Sequence, residues 1–221
     1  MHDYKRLIRE ELADFSAFLH SLDAGQWDGP TLCEGWRVRD VVGHMCVGYQ
    51  MRLSTLPVMV VRYRGNIPRA SHVMSTQFGS SHSPEEILAV FDAYAAEADT
   101  VARGLTRMIP VSERMTDHLI HHQDVRRPMG AIRDIPAERL VAALDALPGI
   151  GGFLQSKKKA AGLSFAATDV EWRHGAGPEV RGPAESLVLA MSGRPAGLDA
   201  LSGDGLGELR RRVLPAGVRA A

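Results

Sequence analysis

The sequence predicts a mainly α protein in which an antiparallel four-helix bundle is followed by a small α+β domain. Apolar residues recur every three or four positions through much of the first two-thirds of the 221-residue chain, which is typical of amphipathic helices. From about residue 162 the pattern changes to alternation with glycine turns, which is typical of short strands. We expect the bundle over residues 1–135, a helical linker over 136–161 and the α+β domain over 162–221.

The first two predicted helices follow from their apolar stripes. Residues 4–22 place apolar side chains at intervals of three and four, as one buried helix face requires. A turn-rich connection over residues 23–35 follows, and a second stripe covers residues 38–49. His44 lies beside this second stripe, inside a strongly apolar segment.

The segment between the second and third helices has a weaker pattern. Residues 58–63 favour a short helix, whereas residues 65–79 are interpreted as a loop that crosses over the bundle. The third helix begins with a capping box, because Ser83 and Glu86 can bind backbone N–H groups that a first turn leaves unpaired. We expect its buried stripe to continue to Val101.

The fourth predicted helix contains three histidines and two carboxylates within eight residues, DHLIHHQD at positions 117–124. Asp117 and His121 stand four residues apart, so they share one face of a helix and could bind one metal ion. His118 and His122 repeat this spacing on a neighbouring face. The local pattern therefore leaves open whether an Asp/His or a His/His pair binds the metal, and a solvated polar face is the alternative to both.

A metal site at this helix needs a third ligand from elsewhere in the chain. His44 is the best candidate, because no other histidine outside the cluster lies in a strongly apolar helical segment. The sequence thus indicates a site made by the second and fourth helices. This pairing is compatible with a bundle whose helices pack side by side.

The C-terminal third alternates short strand and helix signals. Residues 163–168 and 171–174 are predicted strands, followed by turns at glycines 175 and 177. Residues 183–192 and 206–213 are predicted helices. Together these elements predict the small α+β domain.

Composition narrows the class of function. With 26 basic and 26 acidic residues the chain carries no net charge, which argues against a nucleic-acid partner. It contains neither a signal-peptide pattern nor an apolar run of membrane-spanning length, so we expect a cytoplasmic protein that does not bind membranes. Cys33 and Cys46 are too few for a disulfide framework and are interpreted as ordinary thiols.

Several motifs resemble one known family. They are Trp27 with PTLCEGWRVRDVVGH at 30–44, DHLIHHQDVRRPMG at 117–130, GLSFAATD at 162–169, GPEVRGPA at 177–184 and SGR at 192–194. The chain is similar to the mycothiol-dependent maleylpyruvate isomerase family, whose N-terminal half is a DinB-like metal-binding four-helix bundle and whose C-terminal part is a small α/β domain. The likeness runs nearly from end to end, so it is specific for the fold and less specific for the reaction.

The resemblance implies a ligand set and a cofactor. His44, Asp117 and His121 match residues that bind a divalent metal, zinc in the first place, with nickel or iron as alternatives. Asp117 departs from the glutamate of the founding isomerases, and its shorter side chain places the ion nearer to the helix. A mycothiol-like thiol would be the second cofactor. Arg194 matches an arginine that the family uses for an anionic substrate, which makes it the candidate catalytic residue.

This donor set suits thiol chemistry. Three protein ligands leave a coordination position open, and a thiol that enters it is held as thiolate. The thiolate could add to a small electrophilic, acidic substrate and be expelled, as in an isomerase, or stay attached, as in an S-transferase. Asp124 could fix the His121 tautomer or pair with Arg127. The rival hypotheses are a non-enzymatic metal-stabilised binding or regulatory module, and a non-haem iron oxygenase built on the same triad.

Overall fold

The computed structural model describes residues 2–97, 108–152 and 154–214. The chain divides into two compact units, Asp3–Ile132 and Arg133–Ala221. The first unit is a helical bundle and the second combines short helices with a small sheet, which confirms the predicted fold class. The division into three parts with a separate linker stays a prediction.

In the described residues of the first unit, the α-helices are α1 (Tyr4–His20), α2 (Val38–Gln50), α3 (Leu56–Arg62), α4 (Ile67–Ser81), α5 (Pro84–Glu97) and α6 (Val111–Arg126). The four helices predicted for the bundle correspond to α1, α2, α5 and α6, and α3 confirms the short helix expected near residue 60. The expected continuation of α5 to Val101 lies outside the described residues.

Local signals in the sequence fix the starts of two helices. Asp3 caps α1 by accepting a hydrogen bond from the backbone N–H of Arg6. The capping box of α5 is present as expected: Ser83 Oγ accepts from the backbone N–H of Glu86, and the Glu86 carboxylate accepts from the N–H of Ser83. The buried faces of both helices meet in the core, where Phe15 and Phe91 pack edge to face with ring centroids 5.3 Å apart.

The prediction of a loop over residues 65–79 is wrong, because these residues form most of α4. Asn66 caps this helix by accepting from the backbone N–H of Arg69, and Pro68 stands in its first turn. The sequence analysis missed this helix because one of its sides consists mostly of polar or exposed residues. It is held in place by close packing against α2, where Gly43 and Gly79 let the two backbones approach.

The second unit contains α7 (Ala137–Ala146), α8 (Ser156–Ala160), α9 (Ala184–Met191) and α10 (Leu206–Val213), with strands β1 (Ser164–Ala167), β2 (Arg173–Gly175) and β3 (Glu179–Gly182). The strand order is β2-β1-β3, with β2 antiparallel and β3 parallel to β1. Strand β3 was not predicted. Each residue of α9 except Glu185 is buried, so this helix forms the centre of the unit.

Within the described ranges, every helix is too short or too polar to cross a bilayer.

The contact between α4 and α2 gives a stability prediction. A Cβ atom on Gly79 would collide with the Asp40 carboxylate and lie 3.0 Å from the carbonyl oxygen of Arg39. We expect Gly79→Ala to lower the free energy of unfolding by about 1–3 kcal/mol. Gly48→Ala in α2 is the control, because no atom lies within 4 Å of its Cβ position. It should raise stability by up to about 1 kcal/mol through helix propensity. Urea unfolding measures both, and equal effects would contradict this packing.

Candidate metal centre

The three histidines of α6 face different partners. His118 Nε2 lies 2.6 Å from the hydroxyl of Tyr94 on α5, and His122 Nδ1 lies 2.8 Å from Glu11 Oε1 on α1. His121 instead faces Asp117 on its own helix. The structure therefore separates the two pairs that the sequence left open: His118 and His122 connect α6 to neighbouring helices, while Asp117 and His121 point to one place.

Burial and hydrogen bonding keep the first two histidines neutral. Burial lowers the pKa of His118 to about 4. Arg126 Nε donates to His122 Nε2 at 2.7 Å, and because a guanidinium can only donate, Nε2 must be the acceptor. The proton of His122 therefore lies on Nδ1, which donates to Glu11. Phe15 stacks on this ring with centroids 4.3 Å apart, so His122 is part of the core.

The structure brings His44, Asp117 and His121 together. One ligand atom from each lies within 4.8 Å of the other two. His121 Nε2 is 3.5 Å from Asp117 Oδ1. A tetrahedral ion with bonds of about 2.0–2.2 Å separates its ligand atoms by roughly 3.4 Å, so this pair already stands at a suitable spacing. Two imidazoles and a carboxylate from two helices are a donor set that fits a divalent cation, and their assignment as ligands is a proposal.

Hydrogen bonds on the far side of each imidazole orient the rings. His121 Nδ1 donates to Asp124 Oδ2 at 3.0 Å, because a carboxylate only accepts, and this leaves Nε2 with the lone pair that a metal needs. His44 Nδ1 lies 3.1 Å from Ser71 Oγ and 3.4 Å from Ser75 Oγ, hydroxyls that can accept its proton. Both serines belong to α4, so the helix that the sequence analysis missed supports the centre.

The electrostatic environment favours a cation at this place. Burial acts to lower the pKa of His121, but the charge of Asp117 and the hydrogen bonds to Asp124 and Cys33 outweigh it and hold the pKa well above its ordinary value. Carboxylates that attract a proton to His121 attract a metal ion in the same way. Metal and proton therefore compete for this imidazole.

Cys33 is a residue of the centre that sequence reasoning missed. Its thiol donates to Asp124 Oδ2 at 3.1 Å, and Sγ lies 4.0 Å from His121 Nδ1. The loop that carries it is fixed to α6 by the hydrogen bond from the backbone N–H of Leu32 to the carbonyl oxygen of Asp124, 2.9 Å long. Within this loop, the Thr31 hydroxyl donates a hydrogen bond to the carbonyl oxygen of Trp36. Spacing along the chain could not reveal the contact, because 91 positions separate Cys33 from Asp124.

Cys33 and Cys46 are both free thiols, as expected. Cys46 is buried in α2, where its thiol donates to the carbonyl of Ile87 at 3.8 Å. Burial raises the pKa of Cys46 to about 12, so this thiol is inert at neutral pH. Cys33 is half-buried.

The centre is open on one side. The Asp117 side chain is 35% exposed, whereas that of His121 is 7% exposed. The ring of Trp36 stands beside His44 with centroids 5.1 Å apart, and its Nε1 donates to His72 at 2.6 Å. The exposed part of the Asp117 carboxylate therefore gives solvent and small molecules access to the centre.

Arg194 lies in the second unit, directly before the 3-10 turn Pro195–Ala200. Its Nη1 donates to the carbonyl oxygen of Ser192 at 3.1 Å. Burial lowers the pKa of the nearby Lys159, and the charge of Arg194 lowers it further, so two cationic groups stand close together here. The role of Arg194 in binding an anionic substrate stays a prediction.

The chain matches the model of a known protein family. Residues 8–126 match the model of the mycothiol maleylpyruvate isomerase N-terminal domain. This range covers more than half of the chain and contains the three candidate ligands as well as Cys33 and Asp124. Among curated proteins, no sequence matches the chain significantly.

Two solved structures share the fold. A crystal structure of the mycothiol-dependent maleylpyruvate isomerase superposes with a TM-score of 0.60 at 17% identity. A histidine-to-alanine mutant of the same enzyme superposes with a TM-score of 0.61 at 18% identity. Each alignment covers 91% of this chain and 92% of that structure. At such identities the similarity concerns the fold alone.

The geometry of the centre predicts which histidines bind metal. We expect His44→Ala and His121→Ala to weaken zinc binding by about 100-fold or more, since each removes a donor atom. His118→Ala should leave the zinc content unchanged, because that ring binds Tyr94. Metal analysis after dialysis measures the three variants, with circular dichroism as the control for folding. Zinc lost on changing His118 and His122, but kept on changing Asp117, would contradict the assignment.

Proposed function

We propose that this chain, which belongs to the mycothiol maleylpyruvate isomerase N-terminal domain family, is an enzyme that needs a divalent metal and a low-molecular-weight thiol such as mycothiol. Its reaction would be the isomerisation of a small electrophilic, acidic substrate, or transfer of the thiol to it. The observation that carries this proposal is the convergence of His44, Asp117 and His121, each imidazole oriented by a hydrogen bond on its other side.

The donor set supports a catalytic rather than a structural centre. Two histidines and one carboxylate leave a coordination position open, whereas structural zinc sites are closed by four protein ligands and are rich in cysteine. When bound, the metal would lower the pKa of a coordinated thiol and keep it as thiolate near neutral pH. Zinc fits this chemistry first, and nickel or iron remain alternatives that the shorter carboxylate of Asp117 could accommodate.

The residues of the chain would hold and orient this centre. Asp124 keeps the proton of His121 on Nδ1, so that Nε2 stays available as a donor atom. Ser71 and Ser75 on α4 lie within hydrogen-bond distance of His44 Nδ1 and can accept its proton, which would leave Nε2 available in the same way. The thiol would enter from the side on which Asp117 is exposed, and its sulfur could attack an electrophilic double bond, which permits rotation before the thiolate leaves again.

Two other functions are compatible with the same residues. Two histidines and a carboxylate also form the metal-binding face of non-haem iron oxygenases. A bundle that uses the metal only for stability would be a binding or regulatory module. Metal analysis separates iron from zinc, and an assay of thiol-dependent turnover separates the enzyme from the module.

The proposal predicts that the nucleophile is the added thiol and not a cysteine of the chain. A Cys33→Ser, Cys46→Ser double variant should retain its zinc and most of its mycothiol-dependent turnover of maleylpyruvate, because a serine hydroxyl can still donate to Asp124. Turnover should require mycothiol in both proteins. If the variant keeps its metal and loses all activity, a cysteine of the chain is the nucleophile and the proposal fails.

A second prediction concerns Arg194, which we propose binds a carboxylate of the substrate. Its planar guanidinium suits that group. Arg194→Ala should lower kcat/KM for an acidic substrate by about 10- to 100-fold, the loss expected when a hydrogen bond to a charged group is removed. The zinc content should not change. Unaltered kinetics in this variant would exclude the assignment.

A further inference from the structure

The helix that carries two of the candidate ligands also buries an arginine outside the metal centre. Arg114, in the first part of α6, is 8% exposed. Among the described residues, neither its Nε nor its Nη1 has a hydrogen-bond partner. An arginine is charged at all physiological pH values and carries only donors, so leaving two of its nitrogens buried and unpaired is costly. Within the described part of the chain this cost is not offset, and an acceptor group on a bound ligand would offset it.

His118 provides a second unsatisfied atom at the same place. It stands one helical turn after Arg114, at the i+4 position, so the two side chains share a face of α6. His118 is 5% exposed, and its Nε2 is bonded to Tyr94. Its Nδ1 is buried without a hydrogen-bond partner in the part of the chain that the structure describes. If the Tyr94 hydroxyl donates to Nε2, then Nδ1 carries the proton and is a donor without an acceptor.

The effect of its charge on the pKa of Tyr94 indicates that Arg114 lies near Tyr94 and His118. Burial raises the pKa of Tyr94 well above its ordinary value, and the positive charge of Arg114 opposes this shift. The charge of Asp117 acts on the same hydroxyl in the opposite direction. Arg114, His118 and Tyr94 therefore form one cluster, and Asp117 connects it to the metal centre.

We propose that Arg114 and His118 form a binding subsite for a carboxylate group of a small organic acid. Arg114 supplies the positive charge that attracts an anionic group to the subsite. A carboxylate also supplies two acceptor oxygens, which can satisfy the unpaired guanidinium donors and the imidazole N–H together. A phosphate would bring up to two negative charges to a buried cluster in which, among the described residues that act on His118, Arg114 is a cation and Asp117 already adds a negative charge.

This inference rests on the proposed function, because it assigns one end of the acidic substrate to residues of the bundle itself. It differs from the role proposed for Arg194, which lies in the second unit. A subsite one turn from Asp117 would fix the acid relative to the metal centre. The reacting part of the substrate would then be oriented by a charge that the bundle already holds in place.

A structural role for Arg114 is the rival explanation, and stability separates the two. A buried charge kept to support the fold would make Arg114→Met strongly destabilising. A buried charge kept for a ligand costs stability while the ligand is absent, so the same change should leave the melting temperature unchanged or raise it. Arg69→Met, at an exposed position of α4, is the matched control.

The direct test is binding of maleate, a small dicarboxylate, to the full-length zinc-loaded protein by calorimetry. We expect Arg114→Met to weaken maleate binding by about 10- to 100-fold while the zinc content stays the same. Arg69→Met should bind maleate like the unaltered protein, and the uncharged dimethyl ester of maleate should bind much more weakly than the acid. Arg114→Lys keeps the buried charge and replaces the methionine variant if that variant does not fold, with a loss in the same direction.

Three outcomes would overturn the subsite: equal maleate affinity with and without Arg114, no binding to the unaltered protein up to about 10 mM, or ester and acid binding equally. The first would mean that the metal alone binds the acid. The binding measurement needs no turnover. Arg114-dependent maleate binding without thiol-dependent activity would therefore support the subsite and reject the proposed reaction.

Discussion

The bundle depends on one constraint, which is that α6 buries polar side chains in the middle of the first unit. A buried polar group costs free energy unless it is hydrogen-bonded, and two of these side chains find their partners on neighbouring helices. His122 is hydrogen-bonded to Glu11 on α1, and His118 is hydrogen-bonded to Tyr94 on α5. Ordinary apolar packing could hold these helices at several rotations. The polar pairs select the rotation that turns Asp117 towards the open side.

The candidate metal centre also depends on hydrogen bonds between polar side chains. Its imidazoles are useful only in fixed orientations, and these come from residues outside the donor set. Asp124 orients His121 within α6, while the serines of α4 lie against His44. Cys33 completes the arrangement, because its thiol binds the carboxylate that orients His121. The two solved structures of one enzyme, unaltered and mutated, share the overall fold of this chain at less than a fifth of sequence identity.

The sequence predicted what depends on local periodicity and failed where distant contacts decide. Four bundle helices and the capping box of α5 could be read from spacing alone, and the facing of Asp117 and His121 follows from the helical turn. Helix α4 was missed because its stabilising contacts come from α2, through glycine positions that carry no periodic signal. Its Asn66 cap with proline in the first turn was the signal that could have revealed it. Cys33 could not be placed, since its position depends on the packing of a loop against α6.

The backbone hydrogen bond between Leu32 and Asp124 also has a consequence for folding. It joins a loop before α2 to the end of α6, and closing so long a stretch of chain is slow because its entropy cost comes before any contact rewards it. The two halves of the centre meet only when that closure is complete. The three candidate ligands are brought together only in the assembled bundle, so metal binding at this centre would be a measure of correct folding.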